Sequence, residues 1–508
     1  MKGTLKNKIL ILVSALALAM TFPPVNAWIL GYFALLPLLY VFYMEPEKGF
    51  ARGYFFGFIY SLVLVHWLAF NSGASVWLVT LSALMAAAFL ALNYGVMGWI
   101  TVLYIRRHGG LGLFVFPIVW TVVEFIRSFG ALGFQWVLVA NGQTANLPFI
   151  QMADLGGPFL ISFLLVSVNT LLFCLLMKVP AYRGIRQIFY VLLGIFLIVP
   201  YTYGIFRLYQ QNEPAKSHVF RLVQPDYDSH EKWERERRDE IFDTMISLSR
   251  APGVDSVDII VWPESATPVY IRTQIKYRSM LEELSRETGC VLISGVPDYF
   301  VRNGKVYVTN SLYVFEPQQG ISGKYNKQKL VPFGEYIPLS DVFPRLSRLN
   351  LGQGNFTAGK NEPLLRVDSL DVTLAPMICY ESVFSREALI KIRNGGEYHI
   401  LVTNDSWFGD SWGPYQHASQ AIFRAVETRR PVIRCANTGV SMAIDHTGRI
   451  LKELPLNTRG ILDVRMTVPD MQSPYVKSGN TFAFILCGVL MGVLLTPLWP
   501  VKRNRNDP

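Results

Sequence analysis

Three residues that follow apolar, β-rich segments carry side chains suited to acyl transfer: Glu264 in VWPES, Lys327 in KYNKQKLVPFGEYIP and Cys379 in PMICYES. A thiol with an ordinary pKa of about 8.5 is mostly protonated at neutral pH, so a carboxylate that accepts its proton would activate it as a nucleophile. Attack on an ester carbonyl develops negative charge on oxygen, which a fixed ammonium and a backbone N–H stabilise. We interpret Cys379 as the nucleophile and Glu264 as its base. Lys327 and the N–H of Tyr380 are the predicted oxyanion partners.

Each of these residues taken alone has an ordinary structural explanation. A single buried cysteine is usually inert, a lysine is usually solvated, and a glutamate after a strand is often a cap. The other cysteines and histidines offer no competing chemistry, because the sequence has no CxxC pair and no metal-ligand spacing. We interpret His417 and His446 as structural, since a Cys–His mechanism would leave Glu264 and Lys327 unexplained. The sequence therefore predicts no metal site.

The elements that must position these residues lie in a segment of globular composition, residues 212–475. From Val219 onward, short β-rich runs such as DIIVWPES, VTLAPMICYES and PVIRCANTG alternate with helical stretches. Between the first two strands, Ile241, Met245 and Ile246 recur at helical spacing among charged residues, as they would on a surface helix. The pattern predicts an α/β domain or a layered α-β-β-α domain that presents reactive groups at strand ends.

The composition of the whole chain indicates a membrane protein. Of its 508 residues, 51% are hydrophobic and 17% are charged, and long apolar runs crowd the first part of the chain and recur near its C-terminus. The net charge of +10 would suit nucleic acid, but the basic residues form no stripe interleaved with aromatic residues, and many lie just outside apolar runs. We expect a lipid bilayer, and no nucleic acid, as a partner of this chain.

Eight segments are apolar enough to span a bilayer, which needs about 20 apolar residues per helix. The predicted spans are approximately 9–22, 28–44, 53–71, 77–105, 112–129, 157–179, 187–207 and 481–499. The predicted organisation is therefore seven transmembrane helices in residues 1–211, the globular domain in 212–475, and an eighth helix with a cytoplasmic tail in 476–508.

Basic residues predict that the globular domain lies outside the cytoplasm, because lysine and arginine in short loops are retained on the cytoplasmic side. Under eight spans the basic residues of the short loops fall on one side, among them Lys48, Arg106, Arg183 and Lys502. The connections PPVNA and NSGAS on the other side carry no charge. Both termini are predicted in the cytoplasm. The start of the chain also resembles a cleavable signal peptide ending at Ala27, an alternative that leaves the placement of the domain unchanged.

Residues 130–157, after the fifth predicted span, are apolar, aromatic and nearly uncharged. Such a segment could lie along the membrane interface and guide a lipid. It could equally be a partly re-entrant connector buried among helices. The sequence leaves both interpretations open.

The motifs WPES, YNKQKLVPFGEYIP and ICYES, in this order, resemble the carbon-nitrogen hydrolase or nitrilase superfamily, whose members use a Glu-Lys-Cys triad. With the seven-plus-one arrangement of spans, they resemble the apolipoprotein N-acyltransferase family over nearly the whole chain. The resemblance implies a ping-pong transfer, in which the thiol takes an acyl chain from a glycerophospholipid, typically phosphatidylethanolamine. The acceptor would be the N-terminal α-amine of an S-diacylglyceryl cysteine in an apolipoprotein. We expect a monomer in a bacterial inner membrane, with a periplasmic catalytic domain and no cofactor.

The same resemblance implies roles for further residues. Glu335 and Glu381 match supporting carboxylates, and Asn310 matches a site position. Glu335 would orient Lys327 or share its charge, and a salt bridge that holds the PFGEY turn is the structural alternative. An apolar collar that keeps a thioester dry is predicted from aromatic residues that could also be core, namely Trp233, Tyr380, Trp407, Phe408 and Trp412. The glycines of NDSWFGDSWGPYQH would let this segment hinge as a lid.

Two other functions are weighed against acyl transfer to a lipoprotein. A membrane-tethered amidase or nitrilase with the same triad would use water as the second acceptor, but a soluble substrate needs no more than one anchor. A transporter or channel with an extracytoplasmic sensor domain would need polar residues through the spans, where the sequence offers few beyond His66, Glu124 and Arg127. We interpret Glu124 and Arg127 as a structural pair on one helix face. Both considerations favour the acyltransferase.

Overall fold

The computed structural model describes residues 2–71, 75–211, 213–228, 231–254, 256–338, 355–360 and 364–495. The helices in chain order are α1 (Lys2–Ala19), α2 (Leu36–Met44), α3 (Gly49–Val65), α4 (Val76–His108), α5 (Val115–Ile126), α6 (Leu147–Ile150), α7 (Ala153–Leu176), α8 (Arg186–Tyr209), α9 (Arg238–Ser249), α10 (Ile275–Thr288), α11 (Ser385–Arg393), α12 (Gly413–Thr428), α13 (Pro474–Ser478) and α14 (Thr481–Leu495). The strands are β1 (Pro214–Gln224), β2 (Ile259–Val261), β3 (Val291–Arg302), β4 (Lys305–Glu316), β5 (Gly320–Asn326), β6 (Leu365–Val367), β7 (Val372–Ile378), β8 (Tyr398–Thr403), β9 (Val432–Ala436), β10 (Ser441–Ile444), β11 (Ile450–Leu454) and β12 (Gly460–Pro469).

The chain divides into a helical unit and a mixed α/β unit. The helical unit comprises Met1–Ala69, Trp77–Gln210 and Ser478–Pro508, and the α/β unit comprises Phe70–Val76 and Gln211–Lys477. Within the described residues, four helical stretches are long and apolar enough to cross a membrane, namely Gly49–Phe70, Val76–Ile126, Ala153–Leu176 and Arg186–Tyr209. Two shorter apolar stretches are Trp28–Met44 and Thr481–Leu495. Several of the apolar helices expected from the sequence are therefore present, while their number of eight as membrane spans stays a prediction.

Glycines let α3 and α4 approach each other closely. Gly49, Gly53 and Gly57 recur every fourth residue and so lie on one face of α3. A Cβ added at Gly53 would overlap the carbonyl oxygen of Tyr94, and one added at Gly49 would overlap that of Gly98. Small residues at such contacts allow the close backbone approach on which helix packing in membranes depends.

The segment after α5 is a buried connector. Trp136, Val137 and Val139 are at most 1% exposed. Glu124 Oε1 accepts a hydrogen bond from the backbone N–H of Val139 at 2.8 Å, and Arg127 Nη2 donates to the carbonyl of Val137 at 3.5 Å. The buried alternative for this part of residues 130–157 is therefore the correct one, and Glu124 and Arg127 are structural because they anchor the segment.

Two six-stranded sheets form the centre of the α/β unit within the described residues. Their strand orders are β12-β1-β2-β3-β4-β5 and β11-β10-β9-β8-β7-β6. The neighbours β1–β2, β2–β3, β7–β8 and β8–β9 are parallel, and the outer pairs are antiparallel. The parallel strands are short and apolar, as expected for strands covered on both faces.

Apolar residues of both sheets form one core. It includes Phe220 and Val261 of the first sheet and Leu374 and Ile400 of the second. Helices α9 and α10 cover the other face of the first sheet through Ile241, Phe242, Met245, Leu281 and Leu284. Helix α11 packs through Leu389 and Ile392 against Ala375 of β7. The layers are thus helix, sheet, sheet, helix, which confirms the predicted α-β-β-α sandwich.

Candidate active site

The three proposed catalytic side chains follow strands of the α/β unit. Glu264 lies three residues beyond β2, Lys327 directly follows β5, and Cys379 directly follows β7. Their backbones are set by the sheets, since rigid strands hold the residues at their ends within narrow limits. Cys379 has a positive φ of 50°. The backbone therefore departs sharply from the extended conformation of β7 at Cys379.

Glu264 is oriented by two neutral donors. Its Oε2 accepts a hydrogen bond from the backbone N–H of Asn404 at 2.8 Å, and its Oε1 accepts one from Asn310 Nδ2 at 2.7 Å. Lys327 Nζ lies 3.4 Å from the same Oε1. Because Glu264 is only 5% exposed, these donors replace water around the carboxylate. The structure thus places Asn310 beside Glu264, in contact with one of the proposed catalytic groups.

Lys327 is a buried cation between two carboxylates. Its Nζ donates to Glu335 Oε1 at 2.7 Å as well as to Glu264. Although burial acts to lower the pKa of Lys327, the negative charges of Glu335 and Glu264 raise it above its ordinary value. The ammonium therefore stays charged at neutral pH. It can stabilise negative charge on a reacting oxygen.

Glu335 contacts both Lys327 and the backbone of its own turn. Its Oε1 accepts from Lys327, and its Oε2 accepts the backbone N–H of Val331 at 2.8 Å within the turn. Burial raises the pKa of Glu335, while the positive charge of Lys327 opposes that rise. Glu335 thereby connects the position of Lys327 to the fold of the turn.

Cys379 lies where neighbouring charges act on its thiol. Burial raises the pKa of Cys379, the negative charge of Glu264 raises it further, and the positive charge of Lys327 opposes both. The thiol is consequently protonated at neutral pH, and it needs a base to become a nucleophile. Tyr380, whose N–H is the other proposed oxyanion partner, is 6% exposed and packs edge-on against Phe384 with 5.0 Å between ring centroids.

Glu381 joins the segments that follow β5 and β7. Its Oε1 accepts the backbone N–H groups of Gln328 at 2.7 Å and Lys329 at 3.1 Å. Its Oε2 accepts the N–H of Ile378 at 2.7 Å, and its Oε1 also accepts the Tyr325 hydroxyl at 2.7 Å. The role that the structure gives this fully buried carboxylate is to hold the Lys327 segment against the Cys379 segment.

Apart from Tyr380, the residues of the predicted aromatic collar lie in segments that precede α9 and α12. Trp407 and Phe408 lie in a short 3₁₀ helix after β8, and Trp412 directly precedes α12. The Phe408 ring packs edge-on against His417 with 6.0 Å between ring centroids. Trp233 is 47% exposed and follows the buried Lys232, whose Nζ donates to the carbonyl of Glu264 at 3.2 Å.

A buried cluster of Asp405, His417 and Arg434 adjoins Cys379 and was not predicted as part of the site. Asp405 Oδ2 accepts from Arg434 Nη2 at 2.7 Å, and Asp405 Oδ1 lies 2.9 Å from His417 Nδ1. His417 Nε2 lies 3.2 Å from the carbonyl oxygen of Cys379. The expectation that His417 is structural agrees with these contacts, but its partner is the backbone of the proposed nucleophile. Arg434 inside the apolar run PVIRCA indicates such a cluster, since a buried charge requires a partner.

Among the described residues, no group of three or more His, Cys, Asp or Glu side chains could hold a metal ion. The charged groups near Cys379 instead pair with one another and with backbone amides. The arrangement offers a base, a fixed cation and a thiol. These are the parts that acyl transfer through a thioester requires.

Comparison with known proteins identifies the family. Residues 14–171 match the apolipoprotein N-acyltransferase N-terminal domain, and residues 221–474 match the carbon-nitrogen hydrolase family. A protein from Geobacter metallireducens named apolipoprotein N-acyltransferase is 31% identical over 493 residues, which are 94% of this chain and 93% of the relative. This chain belongs to the apolipoprotein N-acyltransferase family. The resemblance inferred from the motifs and the acyltransferase class are thereby confirmed.

Other apolipoprotein N-acyltransferases match over most of their length. The protein from Agrobacterium fabrum is 34% identical and covers 90% of this chain and 87% of the relative. The protein from Chlorobaculum tepidum is 29% identical, with 95% of each chain covered.

Two solved structures overlap with about half of the chain. A mutant of the Nesterenkonia AN1 amidase from the nitrilase superfamily has a TM-score of 0.38 and 13% identity, covering 54% of this chain and 99% of its own. A carbon-nitrogen hydrolase from Helicobacter pylori has a TM-score of 0.38 and 16% identity, covering 57% of this chain and 96% of its own.

Proposed function

We propose that this chain moves an acyl chain from a glycerophospholipid, typically phosphatidylethanolamine, to the N-terminal α-amine of S-diacylglyceryl cysteine in apolipoproteins. The acyl chain travels as a thioester on Cys379. Family membership supports the reaction class. The observation that supports the assignment of residues is the buried charge cluster of Glu264, Lys327 and Glu335, whose first two members act electrostatically on the Cys379 thiol.

In the first half-reaction Glu264 accepts the thiol proton as Cys379 Sγ attacks the ester carbonyl of the phospholipid. Lys327 and the N–H of Tyr380 stabilise the oxyanion. The bond between carbon and the glycerol oxygen then breaks, and that oxygen takes the proton from Glu264. The lysophospholipid leaves as an alcohol, and a thioester remains. The raised pKa of Cys379 supports a need for the base.

In the second half-reaction the lipoprotein amine attacks the thioester carbonyl through the same oxyanion site. Glu264 accepts the amine proton, the carbon–sulfur bond breaks, and the sulfur recovers its electron pair and a proton. The product is an N-acylated lipoprotein, and the free enzyme returns to its starting state. No cofactor enters either half, and one chain supplies every proposed group, so we propose that a monomer is sufficient.

We further propose that eight spans, seven in residues 1–211 and one in 476–508, hold the enzyme in a bacterial inner membrane. The catalytic domain, residues 212–475, faces the periplasm, and both termini face the cytoplasm. The one-sided distribution of basic loop residues supports this orientation. The apolar collar of Trp233, Trp407, Phe408 and Trp412 would receive the acyl chain.

The experiment that tests the proposed function is mass spectrometry of the purified full chain after incubation with phosphatidylethanolamine. We expect one added acyl mass on the Cys379 peptide of the wild type and none in Cys379→Ser. Cys487→Ser, in the apolar helix α14, is the matched control and should retain the adduct. A folded wild type that gains no acyl mass on Cys379 would contradict the proposal and direct attention to soluble amides as substrates.

A further inference from the structure

Thr403 lies beside Cys379 at the ends of two neighbouring parallel strands. The register of β7 and β8 pairs Ile378 with Val402. Cys379 directly follows Ile378, and Thr403 directly follows Val402. Thr403 is fully buried. The two residues therefore lie at the adjoining ends of neighbouring strands, and the Thr403 side chain is shielded from water.

The Thr403 hydroxyl has an acceptor other than sulfur. Its Oγ1 donates a hydrogen bond to Asp405 Oδ1 at 2.9 Å. Asp405 is itself held by Arg434 Nη2 at 2.7 Å and by His417 Nδ1 at 2.9 Å. Although burial acts to raise the pKa of Asp405, the positive charge of Arg434 holds it well below its ordinary value. Asp405 is thus a permanent, fixed acceptor.

The same cluster also holds the backbone of Cys379. His417 Nε2 lies 3.2 Å from the carbonyl oxygen of Cys379, and Ser382 Oγ donates to that oxygen at 2.7 Å. Burial raises the pKa of the Cys379 thiol, whereas a hydrogen bond from Thr403 acts to lower it. The sulfur and the carbonyl of one residue therefore both connect to the cluster around Asp405.

We propose that Thr403 is a catalytic residue whose hydroxyl donates a hydrogen bond to the Cys379 sulfur whenever that sulfur carries negative charge. When the sulfur is a thiol or a thioester, the hydroxyl donates to Asp405 instead. One hydrogen alternates between two acceptors, and only the charge on sulfur decides which acceptor it takes. The inference rests on the proposed role of Cys379 as the residue that carries the acyl group.

The hydrogen bond from Thr403 to the Cys379 sulfur is required once in each half-reaction. When Glu264 removes the thiol proton, the thiolate forms beside the buried Thr403, and a hydrogen bond to the charged form is favoured. When the amine nitrogen bonds to the thioester carbon, the carbon–sulfur bond breaks and its electron pair returns to sulfur. Thr403 stabilises that leaving thiolate without giving up its proton, and Glu264 takes the proton of the amine.

The test compares the full-length wild type with Thr403→Val, which removes the hydroxyl and keeps the shape, and with Thr403→Ser, which keeps the hydroxyl. The first readout is the pH dependence of alkylation at the Cys379 peptide by iodoacetamide, followed by mass spectrometry. In Thr403→Val, we expect the pH midpoint of Cys379 alkylation to move upward by about one unit. The acyl-transfer rate of this variant should fall about tenfold. Thr403→Ser should remain close to wild type in both.

Thr403→Ala is a second variant that removes the hydroxyl without adding a branched apolar group, and thermal unfolding of all variants reports on folding. A midpoint and a rate that are unchanged in folded Thr403→Val or Thr403→Ala would overturn the role of Thr403. The failure of Thr403→Ser to restore the wild-type midpoint would do the same. A wild type without an acyl adduct on Cys379 would instead contradict the proposed function, so the two failures are distinguishable.

Discussion

Glu381 makes the relative position of two segments of the candidate site depend on one carboxylate. Four hydrogen bonds converge on it, and three of the donors are backbone N–H groups on either side of the site. A carboxylate has no hydrogen to donate, so it can accept from all of these groups at once. The spacing between Lys327 and Cys379 is therefore maintained by an acceptor that itself takes part in no proposed chemical step.

We predict that Glu381→Gln retains the fold but loses most of the activity. The amide nitrogen of glutamine would face a backbone N–H, so one segment would shift away from the other. We expect acylation of Cys379 to slow about 100-fold and the free energy of unfolding to fall by about 1.5–3 kcal/mol. Initial rates of adduct formation and thermal unfolding of the full chain measure these two effects.

The matched control is Glu236→Gln, at an exposed position of the same unit. It removes the same charge and should leave the rate and the unfolding temperature unchanged. If Glu381→Gln formed the adduct as fast as this control, the carboxylate would not set the spacing of the site.

At the scale of elements, the pairing of α3 with α4 depends on the absence of side chains. A Cβ at Gly53 would overlap the carbonyl oxygen of Tyr94, which is backbone and cannot turn away as a side chain could. Gly194 in α8 has no atom within 4 Å of the position of an added Cβ among the described residues. Alanine at Gly53 would therefore meet the backbone of α4, whereas alanine at Gly194 would enter space that is open within the described part of the chain.

We predict that Gly53→Ala lowers the free energy of unfolding by about 1–3 kcal/mol, because α3 and α4 must separate to admit the methyl group. Gly194→Ala should leave stability unchanged or raise it by up to about 1 kcal/mol, since alanine favours the helix. Thermal unfolding in detergent compares the two variants. Equal unfolding temperatures would contradict the close packing of these helices.

The sequence predicted those elements whose pattern is local. The strands before Glu264 and Cys379 were recognisable as short apolar runs, and the spacing of Ile241 and Met245 predicted α9. The segment 130–157 was ambiguous because an uncharged, aromatic composition suits both a membrane interface and a buried connector. Only its burial distinguishes these alternatives.

The sequence did not predict the cluster around Asp405. Its members come from separate elements, and their partnership depends on how β8, β9 and α12 pack together. His417 was interpreted as structural, and no feature of the sequence singled out Asp405. The hydrogen bonds from Asn404 to Glu264 and from His417 to Cys379 also escape sequence analysis, because one partner in each is a backbone atom.

At the scale of the whole molecule, the predicted topology places both ends of the chain on one side of the membrane and residues 212–475 on the other. We predict that alkaline phosphatase fused after residue 215 is active in cells, because this enzyme requires an oxidising, extracytoplasmic environment to form its disulfides. A fusion after residue 107, next to Arg106 and Arg107, should be inactive. An inactive fusion after residue 215 together with an active fusion after residue 107 would show that the proposed orientation is wrong.

The α/β unit separates α14 from the other helices of the helical unit along the chain. Helix α14 packs against α5 and α7, where Phe484 meets Phe125 at 5.0 Å and Phe482 meets Phe163 at 5.6 Å between ring centroids. A ribosome must therefore translate the entire α/β unit before α14 exists. Under the proposed topology, lipid tails cover the faces of α5 and α7 until α14 occupies them. A nonsense codon shortly after residue 477 would leave every proposed catalytic residue in place and the bundle unclosed.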